Sequence, residues 1–203
     1  GIILYFFQRQ LTYFPDNSDF YNCPIFSEAE KITYKKTRMY LIKKDLEKLV
    51  VFYHGNAASA CSTGYIRDVI DSSEASVLIP EYYWYAWDGH KPSKESILEN
   101  VRDVTEYIKT QKYTSVIVVG ESLWSWVASY HTFLLSPQKL ALISPFSSME
   151  DVARTRFWMY PLLPISENYE SIKYLENYTE QLLIIHWDSD DVVSPFLSKK
   201  LLD

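Results

Sequence analysis

The chain has 203 residues, 47% of them hydrophobic, and a formal net charge of −6; that is enough apolar material for one globular domain with a full core. Its 20 Lys and Arg form no clustered stripe, which, with the acidic balance, argues against nucleic acid as a partner. The two cysteines, Cys23 and Cys61, lack the spacing of a metal or disulfide framework and leave the compartment open.

Gly1 to Phe7 is an apolar run followed by Gln8-Arg9-Gln10. It is too short to cross a bilayer, which takes about 20 residues. Two readings of residues 1–15 stay open. One is a segment packed on the domain; the other is the remnant of an N-terminal membrane or signal anchor, with Tyr5, Arg9, Tyr13 and Phe14 at the interface. The chain starts at Gly1 and stops at Asp203 inside what reads as a helix, so both ends are expected to be cut, with residues 16–203 forming an incomplete domain.

Beyond Pro15, residues Ile32 to Ile42 read as a strand at an antiparallel edge. Short apolar runs then recur at Leu49–Tyr53, Ser76–Pro80, Val116–Val119, Leu140–Ser144 and Leu182–His186. Helical patterns fall between several of them. The clearest runs from Ser96 to Ile108, with Ile97, Val101, Val104 and Ile108 on one face and Ser96 with Glu99 as a capping box. Strands alternating with helices predict an α/β fold with a mostly parallel sheet covered on both faces.

In such a fold, sites form in the loops after the strands. After Leu49–Tyr53 comes His54-Gly55-Asn56-Ala57-Ala58-Ser59, read as a close-approach glycine followed by free N–H groups at a helix start. After Val116–Val119 comes Gly120-Glu121-Ser122, which places a serine at a strand-to-helix corner, with the helix running from Leu123 to about Leu135. After Leu182–His186 comes Trp187-Asp188-Ser189-Asp190-Asp191. Each also has a plain reading: a polar turn, a helix-capping serine, and a solvated acidic turn or an N-cap at Asp191.

Taken together these loops resemble the α/β-hydrolase superfamily, in the branch of serine hydrolases with a His-Gly-Asn oxyanion loop that includes membrane-anchored hydrolases and depalmitoylases. Tyr13-Phe14-Pro15 resembles that branch's opening segment. His54-Gly55-Asn56-Ala57 resembles its oxyanion loop, Gly120-Glu121-Ser122-Leu123 its nucleophile elbow, and His186 to Val193 its acid loop. The resemblance implies an α/β-hydrolase fold, with Ser122 as nucleophile and Asp190 as the acid that orients a histidine. It further implies the N–H groups of Leu123 and of Asn56 or Ala57 as oxyanion donors, and a Ser, then Asp, then His chain order. None of the four histidines follows Asp190: His54 and His186 belong to the loops above, His90 lies in another, and His131 lies on the elbow helix. The general base is therefore expected beyond Asp203.

Trp124 stands where the G-x-S-x-G elbow has its second glycine, and Trp84, Trp126 and Trp187 also stand where the branch carries glycine. The chain has 5 Gly and 6 Trp, against roughly 14 Gly at ordinary usage. Three explanations compete: a gene in which UGA encodes glycine but was translated as tryptophan, a degenerate homologue, and deliberate substitution. An indole at a position chosen for its missing Cβ is expected to overpack or strain the corner. Residues 145–180, with Phe157, Trp158, Met159, Tyr160, Leu162 and Leu163, read as a lid region or as an ordinary packing helix.

The expected activity is hydrolysis of a carboxylic ester or thioester, on a small-molecule or lipid-like acyl substrate, with no metal or organic cofactor. A non-catalytic binding module of the same fold is the alternative, and a serine peptidase a third reading. Membrane association is expected only through the N-terminal run.

Overall fold

The structure is a computed structural model that describes residues 12–16, 18–83, 85–87, 92–156, 165 and 167–202. Among these, seven strands form one sheet in the order β1-β2-β4-β3-β5-β6-β7. They are β1 Glu30–Tyr34, β2 Thr37–Ile42, β3 Lys48–Tyr53, β4 Ser76–Pro80, β5 Ser115–Glu121, β6 Lys139–Ile143 and β7 Gln181–Ile185. Neighbours from β4 through β3, β5 and β6 to β7 pair in parallel, while β2 is antiparallel to both β1 and β4. Val50, Val51, Val116, Ile117, Val118 and Val119 favour this pleated, crowded setting because β-branched side chains are already restricted about χ1.

The helices are α1 Arg67–Ser72, α2 Lys94–Thr110, α3 Ser125–Leu135, α4 Met149–Arg156, α5 Ser171–Leu175 and α6 Pro195–Lys199. Alternate strand residues feed two separate cores, as a period of two requires. Leu41, Leu49, Val51, Leu78 and Val118 pack with Ile97, Val101, Val104 and Ile108 of α2 and with Val127 and Ala128 of α3. Tyr40, Phe52, Val77 and Ile79 face the other way, onto Ile70 of α1 and onto Phe20, Cys23 and Phe26 of the segment before β1. At about 1.5–3 kcal/mol per fully buried large apolar side chain, these two layers hold the sheet between its helices.

Three local expectations need correction. The stretch from Ile32 to Ile42 is a hairpin, turning at Lys35 with φ 51 and pairing Tyr34 with Thr37; no glycine or asparagine marks that turn. The long helix is capped by Ser93, whose side chain accepts from the Ser96 N–H while the Ser96 side chain returns the bond, so Ser96 is the third residue of the box and Glu99 is not in it. No helix starts directly after Asn56: a 3-10 turn begins at Thr63 and α1 at Arg67.

Cys23 and Cys61, 38 positions apart in sequence, are joined in a disulfide with Cα atoms 5.7 Å apart, where the sequence showed no framework. Closing a loop of that size restricts the unfolded chain by about 4 kcal/mol in the chain-entropy account. The bond ties the segment before β1 to the turn that follows the His54 loop. No helix among the described residues is long and apolar enough to cross a membrane. Residues 1–11 lie outside the described residues, as do Trp84, His90 and residues 157–164 of the expected lid region.

Candidate active site

The parallel register puts Tyr53 beside Gly120, Gly120 beside Leu142, and Leu142 beside Ile184. The chain therefore leaves β3, β5, β6 and β7 along one line at the carboxyl edge of the sheet. The His54, Ser122 and Asp190 loops all emerge there, as expected of a site built at that edge.

Ser122 follows the last residue of β5 and opens a 3-10 turn, Ser122–Trp124, that runs into α3. Its φ is 54, left-handed backbone that costs a non-glycine residue roughly 1–3 kcal/mol and persists only where the surroundings enforce it. The enforcing contact is at Gly120. A Cβ there would stand 2.4 Å from the Ala128 Cβ and 3.0 Å from the Ser125 Cα, so α3 lies directly on β5. The chain must reverse within two residues, and Ser122 absorbs that reversal.

A cavity of about 360 Å³ opens on Ser122, lined by Thr12, Asn56, Leu123, Phe146, Met149 and Val152 together with Phe14, Val192 and Val193. Most of its wall is apolar, with Thr12, Asn56 and Ser122 as its polar members, the usual composition of a small-molecule site. The Asn56 side chain accepts from the Tyr85 hydroxyl at 2.9 Å and the Phe14 N–H at 3.3 Å and donates to the Thr12 carbonyl at 2.7 Å, so it clamps residues 12–14 over the loop. Ala57, next in the chain, is again left-handed, with φ 57. Phe146 and, one turn apart on α4, Met149 and Val152 supply the lining from the expected lid region.

Asp190 sits in the loop after β7. Its Oδ1 accepts from the N–H groups of Val192 and Val193, both at 2.8 Å, and its Oδ2 is 3.3 Å from His186 Nε2. Burial works against the charge, but these backbone donors, the Ser144 hydroxyl and His186 outweigh it and hold the carboxyl below its ordinary value. Ser144 is another left-handed residue, φ 47, just past β6. Sequence reading missed it, although its position at a strand's carboxyl end is the available signal.

No described histidine hydrogen-bonds Ser122. His186 gives its Nε2–H to the Val193 carbonyl at 2.9 Å and is absent from the cavity wall. His54 is fully buried, with Nδ1 3.1 Å from the Gly55 carbonyl. Its Nε2 lies 3.4 Å from Glu81 Oε1, an ion-pair distance without hydrogen-bond geometry. His131 Nδ1 meets the Tyr53 hydroxyl at 2.7 Å, and burial, with Lys109 adding, pushes its pKa down to about 3. Among the described residues no group of three or more His, Cys, Asp or Glu is placed to hold a metal ion.

The described tryptophans of the corner bring no left-handed backbone to it. None of Trp124, Trp126 and Trp187 has positive φ, and the close approach belongs to Gly120 instead. Trp124 is fully buried, stacked on Tyr82 at 4.3 Å and on Tyr13 at 5.9 Å between ring centres; Trp126 stacks on Tyr169 at 4.6 Å. Trp187 is 66% exposed. Both buried indole N–H groups lack an acceptor among the described residues, at about 1–3 kcal/mol each. Removing a buried tryptophan typically costs about 3–5 kcal/mol, so the void outweighs the relieved donor. Trp124→Gly is expected to lower stability by about 2 kcal/mol, a fall of roughly 4–8 °C in a thermal melt; a higher Tm would show that the indole overpacks the corner after all.

No protein-family model matches the chain. Uncharacterized proteins from two strains of Mycobacterium tuberculosis are 28% identical over 160 residues, 75% of this chain and 56% of each relative, so the chain spans little more than half the length of the curated relatives it matches. Among solved structures, the esterase Est1E from Butyrivibrio proteoclasticus superposes with a TM-score of 0.61 at 17% identity, covering 85% of this chain and 83% of that one. The thermophilic esterase Est2 from Thermogutta terrifontis gives 0.63 at 12%, covering 87% and 78%. An α/β serine hydrolase from Xanthomonas campestris, described as having no lid, gives 0.58 at 15%, also covering 87% and 78%. With the mostly parallel sheet, these similarities identify the architecture as the α/β-hydrolase fold.

Proposed function

We propose that the protein is a serine hydrolase that cleaves a carboxylic ester or thioester through an acyl-enzyme. The observation that carries the reading is Ser122, held in left-handed backbone at a strand-to-helix corner and opening on an apolar cavity beside Asn56 and Leu123. The Ser122 Oγ attacks the acyl carbonyl while a histidine outside the described residues takes its proton, and Asp190, already held ionised, orients that histidine. The carbonyl oxygen becomes an oxyanion. As the second residue of a helical turn, Leu123 has no intrahelical acceptor for its N–H, which serves as one donor; the N–H of Asn56 or Ala57 serves as the other. Collapse expels the alcohol or thiol with the proton from the histidine. Water, activated by the same base, then releases the acid and frees Ser122.

The apolar lining supports an acyl chain, small or lipid-like, as the group bound, and the apolar run at residues 1–7 supports membrane attachment. The test is a fluorophosphonate probe on the full-length protein: covalent labelling is expected, and Ser122→Ala is expected to abolish it. Labelling that persists in that variant would move the nucleophile elsewhere. The second reading is a binding module that uses the same cavity without chemistry, and a folded, full-length protein that takes no label would favour it.

A further inference from the structure

We infer that Glu121 is a positioning residue that fixes the His54-Gly55-Asn56 loop against the nucleophile corner; the inference rests on the hydrolase reading above. Glu121 is the last residue of β5, adjacent in chain to Ser122. Its Oε2 accepts from the Gly55 N–H at 3.2 Å and from the Tyr65 hydroxyl in a short hydrogen bond. The packing is close: a Cβ on Gly55 would lie 3.2 Å from that oxygen and 3.3 Å from the carboxyl carbon. The carboxylate therefore rests on the Gly55 backbone, and a Cβ at that position would have to push it aside by a few tenths of an ångström.

The loop has other anchors, but they come from elsewhere. The Tyr82 hydroxyl donates to the His54 carbonyl at 3.2 Å, and Asn56 is tied to Tyr85 and to residues 12–14. Of these hydrogen bonds, only the one that Glu121 accepts from Gly55 couples the loop to the strand that carries the nucleophile. An oxyanion hole needs two donors at a fixed spacing, one on each of these pieces of chain, and a misplacement of about 1 Å can cost about 100-fold in rate. Tyr65, in the turn Thr63–Ile66, supplies a second donor to the same oxygen and holds the carboxylate in its rotamer. A charged acceptor taking two hydrogen bonds makes a stronger tie than a neutral pair. Glu121 touches neither substrate nor the reacting atoms in this scheme; it acts through Gly55.

The test compares Glu121→Leu, Glu121→Gln and Tyr65→Phe with the unsubstituted full-length protein, using a p-nitrophenyl ester and an alkyl boronic acid, which forms a tetrahedral anionic adduct on the serine. Glu121→Leu is expected to lower kcat about 10–100-fold and to weaken boronate binding in parallel, with KM changed by no more than about threefold. Glu121→Gln keeps an acceptor oxygen and is expected to recover most of that loss, while Tyr65→Phe shows a smaller one, about threefold. A merely structural glutamate would not separate boronate affinity from KM, nor be rescued by glutamine. The assignment is overturned by a Glu121→Leu enzyme with unchanged kcat, or by a glutamine variant as impaired as the leucine one. Should Glu121→Leu not fold, unchanged boronate affinity in Tyr65→Phe overturns it alone. Unsubstituted protein with no Ser122-dependent turnover and no boronate adduct overturns the hydrolase reading itself, whereas turnover indifferent to Glu121 overturns only the positioning role.

Discussion

Replacing Ser122 with alanine is expected to lower kcat for a simple ester by about a millionfold in the full-length protein, leaving only what donors and binding contribute without a nucleophile. The substitution removes one oxygen atom, and the corner remains held by the contact of Gly120 with α3, so the fold should be kept. The strain of φ 54 stays too, since alanine carries the same Cβ as serine. A melt within a few degrees of the parent, together with the loss of turnover, is therefore the expected pair of results. If ester hydrolysis persists at the parental rate, Ser122 is not the nucleophile, and the left-handed corner needs another account.

The second large effect is expected at Asp190. Asparagine is nearly isosteric and keeps an oxygen for the N–H groups of Val192 and Val193, so the loop should hold its shape, while loss of the charge that orients the base is expected to lower kcat about 10⁴-fold. The stability difference between the two proteins should depend on pH with a definite sign. The Asp190 carboxyl is held below its ordinary value in the folded state, so its contribution is present above the unfolded value, about 4. It is lost as pH falls through the folded value. Parent and Asp190→Asn should thus differ most near neutrality and converge in acid, as read from thermal melts across that range. Melting curves that diverge in acid would contradict the hydrogen-bonding pattern, and an asparagine variant with parental kcat would remove Asp190 from the mechanism.

The strands were legible because runs such as Val116–Val119 and Leu140–Ser144 are short and apolar, the first of them β-branched throughout, and the observed ends fall within one residue of most of the expected ones. The corner was legible only in company: Gly120-x-Ser122 alone also fits a helix-capping serine, and the order of the His54, Ser122 and Asp190 loops is what singles it out. What escaped depends on partners distant in sequence. The Lys35 turn carries no turn residue, and the pairing of Cys23 with Cys61 is fixed by two loops meeting under the sheet rather than by any spacing. The cap moved from Ser96 to Ser93 because two serines three apart satisfy the same pattern, and only the path of the preceding chain decides between them. Tryptophan at position 124 reads in sequence as an intrusion into a tight turn, but the tight contact is four residues earlier, at Gly120, and the indole enters an aromatic layer that no local pattern announces. The role of Glu121 was invisible for the same reason: it exists only because the parallel register sets Tyr53 beside Gly120.

The backbone at position 122 also selects among nucleophiles before any chemistry begins. Serine, cysteine and threonine all carry a group able to attack a carbonyl, but they differ at Cβ. Serine and cysteine have one heavy substituent there and tolerate left-handed φ at moderate cost, whereas a β-branched residue at positive φ is a conformational outlier. Threonine at this corner would either unwind the turn or turn its hydroxyl away from the cavity. The corner that presents the oxygen thus restricts the choice to the two unbranched nucleophiles, by sterics alone and whatever acyl group is bound.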